Sequence, residues 1–166
     1  MSDKMSKTAV ASKAESGGLI NLSSLNEVIG YRIRWAQLAV FDDFIRSFAD
    51  HNIRPTQFGV LTTIGGNPGS SQAAIAQSLG IKRSNFVKLV DEFEKRGFVE
   101  RRVVVLDRRT NALYLTEAGQ RAIERFREIH EAHEARIGAL IGSPDERRLF
   151  LEQLSRLSAL RDTPEQ

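Results

Sequence analysis

The segment from residue 82 to residue 97 carries the most regular pattern of apolar and polar positions. At 100° per residue, its apolar side chains fall in one narrow stripe, formed by Phe86, Leu89, Val90 and Phe93. The opposite side carries the polar residues Ser84, Lys88, Asp91 and Lys95, with Asn85 on its flank. This spacing predicts an amphipathic helix that buries the stripe and presents its polar side outward.

A short helix and a hairpin are predicted on either side of this helix. Residues 71–79 fit a short helix, and Gly80 marks a tight turn after it. Residues 112–115 alternate with the period of a strand, so residues 100–116 are predicted to form a hairpin. A helix-turn-helix places its second helix in the DNA major groove. A solvated amphipathic helix would give the same pattern by itself, but the neighbouring elements favour DNA binding.

The remaining chain is predicted to be largely helical from its start and stop signals. The predicted helices run from about Leu25 to His51, from Pro55 to Ile64, from the Thr116 cap to about Ile141, and from the Ser143 cap to about Leu160. Residues 65–69 are predicted to form a turn, and Ser70 or Ser71 is predicted to cap the helix that follows.

Charge is concentrated where the groove-facing elements are predicted. Nine basic and five acidic residues lie between Lys82 and Arg109, whereas the whole chain has a net charge of only +3. The helix start presents Arg83, Ser84, Asn85 and Lys88. Asn pairs with adenine, Arg and Lys with guanine or phosphate, and Ser with either. Phosphate binding requires such a local excess of positive charge.

Composition argues against several other classes of protein. The chain has no cysteine, which excludes disulfides, thiol chemistry and Cys-zinc sites. Residues 1–21 lack the apolar core of a signal peptide, and no run approaches the roughly 18 apolar residues that span a membrane, so we expect a cytoplasmic protein without membrane contact. The Gly-rich residues 65–69 lack the Gly-Lys-Ser/Thr ending of a phosphate loop, and no Ser has an evident His partner. We therefore expect neither catalysis nor a cofactor.

Several short motifs resemble the MarR family of winged helix-turn-helix transcriptional regulators. They are Arg54-Pro55-Thr56-Gln57-Phe58, Ser71-Gln72-Ala73-Ala74-Ile75-Ala76, the segment from Arg83 to Asp91, the segment from Arg96 to Arg102, Asp107-Arg108-Arg109, and Leu115-Thr116-Glu117-Ala118-Gly119. The resemblance runs from about residue 54 to residue 119, and the order and spacing of the motifs make it specific.

The resemblance implies a fold that is mainly α with a small β-hairpin wing, in which a winged helix-turn-helix domain is joined to a helical dimerisation region. The implied parts are a flexible tail (1–22), a first dimerisation helix (23–53), the DNA-binding domain (54–116) and C-terminal dimerisation helices (117–166). Members usually act as homodimeric repressors that leave their operator when a small molecule binds.

The resemblance also implies the DNA-binding residues. They are Ser71, Gln72, Lys82, Arg83, Ser84, Asn85 and Lys88 on the two helices, and Arg108 and Arg109 on the wing. Asp107 is implied to brace Arg109. Two departures from the family pattern stand out: Ala74 replaces the acidic residue of a capping box, and residues 103–106 are apolar where the wing is often rich in Pro and Asp. These apolar residues are expected to pack the wing onto the body.

Arg34 lies in the middle of an aromatic and aliphatic arc of the first predicted helix. A buried guanidinium is costly unless it is paired, so Arg34 is expected to meet an anion. One hypothesis is a carboxylate across the dimer interface. The other is that Tyr31, Arg34, Trp35 and Phe58 bind an aromatic carboxylate or an acyl-CoA thioester. Residues 31–35 are similar to family members that control aromatic-acid breakdown.

His130 and His133 form a second candidate site on the apolar stripe of the fifth predicted helix. A histidine pair at this spacing, beside Glu131 and Glu134, is compatible with a divalent metal. Such histidines are more often satisfied by neighbouring side chains, and our prediction is no metal site. Two alternatives to a ligand-responsive repressor stay open: a DNA-binding regulator without an effector, and a regulator that responds to metal through these histidines.

Overall fold

A computed structural model describes residues 21–104 and 107–162, with side chains for residues 21–103 and 112–160. The described elements are α1 (Ile29–Ser47), α2 (Pro55–Gly66), α3 (Gln72–Ser78), α4 (Arg83–Lys95), β1 (Val99–Val104), β2 (Asp107–Leu115), α5 (Glu117–Ile141) and α6 (Pro144–Ser158). Short 3₁₀ turns lie at Ser23–Leu25, Ala49–His51 and Ala159–Asp162. The predicted class, mainly α with a small β-hairpin, is confirmed. None of the helices in the described ranges is both long and apolar enough to cross a membrane.

The chain divides into two compact units, Met1–Gln37 and Leu38–Gln166. The first unit contains the beginning of α1, and the second contains the rest of α1 and all later elements. One hydrophobic core lies within the second unit. Its largest fully buried apolar side chains are Phe48, Leu61, Ile64, Phe86, Phe93, Leu113 and Phe126.

The first helix is shorter than predicted. The sequence pattern suggested residues 25–51, but the α-helix covers only Ile29–Ser47, with a 3₁₀ turn separated from it on either side. Asn52 ends the second 3₁₀ turn with a left-handed backbone conformation (φ 48°), shortly before α2 begins. A 3₁₀ turn is a common way for a helix end to tighten, and pattern reading does not distinguish the two helix types.

The second helix is longer than predicted because Gly65 and Gly66 continue it. The predicted turn starts only at Asn67, whose side-chain amide donates to the carbonyl oxygen of Thr63 at 2.9 Å. A Cβ atom on Gly65 would lie 2.9 Å from Leu115 Cδ1 and 3.3 Å from Ile123 Cδ1. Gly65 therefore allows α2 to pack closely on β2 and α5, and its role is one of packing.

The helix-turn-helix forms as predicted. Gly80 has a φ of 62°, and the amide of Ile81 donates to the carbonyl oxygen of Ala76 at 2.9 Å, which closes α3 in a Schellman motif. The recognition helix α4 starts and ends slightly inside the predicted range of 82–97. Phe86, Val90 and Phe93 of its apolar stripe are fully buried, and Leu89 packs against them.

The two strands pair in antiparallel fashion, with Val99 opposite Leu115 and Arg102 opposite Ala112. Residues 69–71 lie along the outer side of β2: the amide of Gly69 donates to the carbonyl of Leu113, and the amide of Leu113 donates to that of Ser70. The hairpin is thus tied to the start of α3. One expectation is wrong for Val103, which is 62% exposed and does not pack on the body. The side chains of residues 104–106 lie outside the described part.

Both C-terminal helices begin at the predicted caps. Thr116 Oγ1 accepts from the amide of Gly119 at 3.0 Å, and Ser143 forms a complete capping box with Glu146. The amide of Thr116 also donates to the carbonyl oxygen of Phe98 at 3.1 Å. A Cβ atom on Gly119 would come within 2.0 Å of that same oxygen. The start of α5 is therefore held directly against the base of the wing.

Candidate functional site

The N-terminal end of α4 forms an exposed polar surface. Lys82 is the residue before the helix, and all the predicted contacts of this element are exposed: Lys82, Arg83, Ser84, Asn85 and Lys88. The first turn contains no acidic residue, so the positive end of the helix dipole is not neutralised there. Burial of the Phe86 side of the helix fixes which side faces outward. This surface suits an anionic, hydrogen-bonding partner.

The two predicted contacts at the start of α3 are held by neighbouring groups. Ser71 Oγ accepts from the amide of Ala74 at 3.2 Å, so this hydroxyl caps the helix and keeps its own proton available for donation. Ala74 has no side-chain acceptor for the amide of Ser71, so the capping box is incomplete, as the sequence predicted. Gln72 is half-buried, and its Oε1 accepts from Arg101 Nη2 at 3.3 Å.

The wing candidates are described only by their backbone. Asp107, Arg108 and Arg109 lie in β2, but their side chains are outside the described part of the chain. The proposed brace from Asp107 to Arg109 therefore stays a prediction.

Three arginines of the basic segment are hydrogen bonded to neighbouring groups of the domain, two of them in partly buried positions. Arg96 donates to the carbonyl oxygens of His51 and Asn52, each at 3.1 Å. Arg102 donates to Glu100 Oε1 at 2.9 Å through Nε and lies over the Tyr114 ring. Arg101, only 19% exposed, pairs with two acidic side chains of α4. The net charge of the segment is unchanged by this pairing, but Arg96 and Arg101 have fewer donors left for a partner.

The candidate ligand residues of α1 share one helix side. Tyr31 and Trp35 form an edge-on aromatic pair with ring centroids 6.1 Å apart, and Arg34 follows Tyr31 at the i+3 position. Arg34 is exposed in the single chain, so its burial against a dimer partner or a ligand stays a prediction. A solvated guanidinium needs no anionic partner, so the energetic argument for one applies only where a second copy or a ligand covers Arg34.

Phe58, the remaining ligand candidate, belongs to an aromatic cluster of the second unit. Its ring stacks on His130 with centroids 4.5 Å apart and planes inclined by 20°. It also contacts the buried rings of Phe44 and Phe48 at 5.8 and 5.7 Å. His130 is thus an aromatic packing partner.

A buried histidine and a carboxylate join α5 to the second half of α1. His133, 2% exposed, places Nδ1 2.8 Å from Asp43 Oδ2, and Arg136 Nη2 donates to the same oxygen at 2.8 Å. The hydrogen bond from His133, followed by that from Arg136, lowers the pKa of Asp43 to about 2. Asp43 is ionised at neutral pH and can only accept, so His133 Nδ1 carries the proton. Helical periodicity alone places Asp43 on a polar stripe of the first helix, together with Arg32, Arg46 and Asp50, and gives it no partner on another element.

The same geometry bears on the metal hypothesis. His133 Nδ1 is engaged by Asp43, and the two histidine rings are 6.1 Å apart at 52°. Among the described side chains, those of residues 21–103 and 112–160, no three from His, Cys, Asp or Glu are grouped to hold a metal ion. His130 stacks on Phe58 and His133 is hydrogen bonded to Asp43.

Apolar side chains are exposed on the outer helices. On α1 they include Ile29, Trp35, Phe41 and Ile45, and on the C-terminal helices they include Leu140, Leu149, Leu151 and Leu157. An open groove of about 620 Å³ runs between α5 and α6, with Gly138, Arg147 and Leu151 in its walls. Several exposed apolar side chains on one helix mark a candidate interaction face.

Comparison with known proteins places these features in context. The MarR family profile matches residues 51–110. A putative transcriptional regulatory protein for the hcr operon of Thauera aromatica is 34% identical over 99 residues, which is 59% of this chain and 60% of that protein. The match thus spans less than two thirds of that relative.

Two solved structures of the transcriptional repressor CouR are similar over most of the chain. One, bound to a 23-mer DNA duplex, is 37% identical, with a TM-score of 0.80, and the match covers 84% of this chain and 99% of that one. The other, bound to p-coumaroyl-CoA, is 35% identical, with a TM-score of 0.77 and coverage of 84% and 98%. These relatives are regulators and not enzymes. The chain belongs to the MarR family of DNA-binding transcriptional regulators.

Proposed function

We propose that the chain is a homodimeric repressor that binds a pseudo-palindromic operator and is released by a small anionic aromatic ligand. The observation that carries the proposal is the exposed, acid-free start of α4 beside the hairpin, in a chain that is 37% identical to a repressor bound to DNA. The buried stripe directs Arg83, Asn85 and Lys88 away from the core.

DNA recognition follows from the chemistry of this surface. Asn85 has the amide geometry to pair with adenine, and Arg83 and Lys88 suit guanine or phosphate. Ser71 and Gln72 supply donors at the start of α3, and Arg108 and Arg109 are proposed to reach the minor groove or its phosphates, with Asp107 as a brace. Phosphate contacts position the domain, and the base contacts select the sequence.

Dimerisation is supported by the exposed apolar side chains of α1, α5 and α6. Burying each large aliphatic side chain contributes about 1.5–3 kcal/mol, so a second copy is a favourable cover for these faces. A two-fold dimer would place two recognition helices about 34–36 Å apart, which is one turn of DNA. Cross-linking or sedimentation at micromolar concentration measures the predicted mass directly.

The proposed effector is an aromatic carboxylate or an aryl-CoA thioester. Two observations support this class: the Tyr31–Arg34–Trp35 side of α1, on which Arg34 and Trp35 are exposed, and the stacked Phe58–His130 pair in the second unit. An aromatic pair next to a guanidinium offers stacking and a bidentate anion contact. The complex of the similar CouR with p-coumaroyl-CoA favours the thioester.

The first test is fluorescence anisotropy of the purified protein on DNA from upstream of its own gene. Binding is measured at about 0.15 M salt, where exposed charges are screened as in the cell, and against a scrambled duplex. A panel of aromatic acids and CoA thioesters is then added. Specific binding released by one member supports the proposal. Equal affinity for both duplexes would refute it, and specific binding that no member releases would favour the regulator without an effector.

Arg34→Gln tests the effector half of the proposal, with Arg32→Gln as the matched control on the opposite side of α1. Both arginines are exposed, so neither change should alter folding. We expect Arg34→Gln to weaken effector binding about tenfold or more, because charge-assisted hydrogen bonds contribute about 1.5–3 kcal/mol. Unchanged effector affinity in an intact dimer would remove Arg34 from the ligand site.

A further inference from the structure

Arg101 lies at the centre of a network that joins three elements. It belongs to β1, at the base of the wing, and its side chain is 19% exposed. Its guanidinium reaches Asp91 Oδ1 at 2.7 Å and also pairs with Glu94, both on α4. Nη2 donates in addition to Gln72 Oε1 on α3 at 3.3 Å. A planar guanidinium has five donors in a fixed fork, which suits several acceptors at once.

The contact with Gln72 fixes the orientation of its amide. Arginine donates and cannot accept, so the atom of Gln72 that faces Arg101 must be the oxygen. The amide nitrogen, with its two protons, is then turned away from Arg101. Gln72 is only half-buried and stands at the first position of α3. An oriented donor at this point loses little side-chain entropy when it binds.

The pairing with Asp91 has an electrostatic consequence for the same surface. Asp91 lies three residues after Lys88 on α4, so the two share one side of the helix. Its side chain is 48% exposed and would repel phosphate if it were unpaired. The ion pair with Arg101 offsets the negative charge of Asp91 and reduces this repulsion.

We propose that Arg101 is a positioning residue for DNA binding, acting through Gln72 without contacting DNA itself. The inference rests on the proposed function, since it requires Gln72 to donate to DNA. This role differs from that of a phosphate contact, which a count of basic residues would assign to Arg101. It predicts that the contribution of Arg101 to operator affinity depends on the presence of the Gln72 amide.

A double-mutant cycle of Arg101→Lys and Gln72→Ala on the operator duplex tests this dependence. Lysine keeps a positive charge beside Asp91 and Glu94 and removes the fork that reaches Gln72, so the variant is expected to fold. We expect Arg101→Lys to weaken operator binding about three- to tenfold in the native background. In the Gln72→Ala background the same change should cost less than about twofold.

Arg96→Lys is the matched control. Arg96 is another internal guanidinium of the same domain, but it donates to the backbone carbonyls of His51 and Asn52. Its effect on affinity, whatever its size, should be the same with and without Gln72→Ala. Urea unfolding of every variant at one protein concentration separates lost affinity from lost folding.

Each outcome has a definite meaning. A loss for Arg101→Lys that vanishes in the Gln72→Ala background supports the positioning role. Equal losses in both backgrounds would overturn it and assign Arg101 a general structural or phosphate-binding role. Native affinity in Gln72→Ala would overturn it by removing Gln72 from the DNA contacts, while the repressor proposal would stand. If the native chain shows no preference for the operator, both proposals fail.

Discussion

Replacing Gly119 with alanine tests how closely the start of α5 is held to the wing. A Cβ atom on residue 119 would lie 2.0 Å from the carbonyl oxygen of Phe98, 2.9 Å from its carbonyl carbon and 3.2 Å from its Cα. These are backbone atoms, so no side-chain rotation can relieve the overlap. The helix start must move away from the wing by more than 1 Å to reach an ordinary contact distance of about 3.5 Å.

The size of the effect follows from three contributions. Overpacking of a close contact costs about 1–3 kcal/mol. The shift would also lengthen the 3.1 Å hydrogen bond from the Thr116 amide to Phe98, which contributes about 0.5–1.5 kcal/mol. Alanine favours a helix over glycine by up to about 1 kcal/mol, which opposes both. We therefore expect Gly119→Ala to lower the free energy of unfolding by about 1–4 kcal/mol.

Urea unfolding followed by circular dichroism measures this change, and Gly59→Ala provides the matched control. Gly59 lies inside α2, and a Cβ atom there would meet no neighbouring atom within 4 Å. The same substitution should stabilise the protein at this position by about 0.5–1 kcal/mol. The reasoning would be wrong if Gly119→Ala were as stable as the native chain while Gly59→Ala behaved as expected.

Three further predictions address the core, the recognition helix and the buried carboxylate. Phe86→Ala should lower the free energy of unfolding by about 3–5 kcal/mol, because the ring is fully buried, whereas its exposed neighbour Val87→Ala should change it by less than about 0.5 kcal/mol in urea unfolding. Asn85→Ala should weaken operator binding by about 1–3 kcal/mol in anisotropy and relax base choice; an equal loss on scrambled DNA would restrict Asn85 to the backbone. Because the pKa of Asp43 falls from 3.8 to about 2 on folding, its stabilising effect is present above pH 4 and lost as the pH falls towards 2. The stability difference between the native chain and Asp43→Asn should shrink over that range, and a difference that is equal at pH 6 and pH 2 would contradict the assignment.

Features that depend on neighbouring residues could be predicted from the sequence. The buried stripe of α4, the turn at Gly80, and the caps at Thr116 and Ser143 arise from local periodicity and local hydrogen bonds. The same local reasoning placed Gly65 in a turn, because glycine usually interrupts a helix. Its true role depends on Leu115 and Ile123, which no local pattern brings next to it.

The contacts that tune the candidate site could not be predicted in this way. Asp43 and His133 are 90 residues apart in the chain, and Gln72 and Arg101 are 29 apart. Helical periodicity gives the side of a helix on which a residue lies, but not which other element packs there. For Asp43 the periodicity gave a polar stripe on α1, and in the structure His133 and Arg136 of α5 contact Asp43 there.

The arginines that are hydrogen bonded within the domain set a limit on how DNA binding responds to salt. Seven of the nine basic residues between Lys82 and Arg109 remain when the partly buried Arg96 and Arg101 are set aside. Each neutralised phosphate releases about 0.9 counterion, so one protomer should give a slope of log affinity against log salt no steeper than about −6. A steeper slope would assign the excess counterions to cations outside this segment, such as the lysines of residues 1–22. The slope measured in a salt titration would therefore show whether cations outside residues 82–109 also contact the phosphates of the duplex.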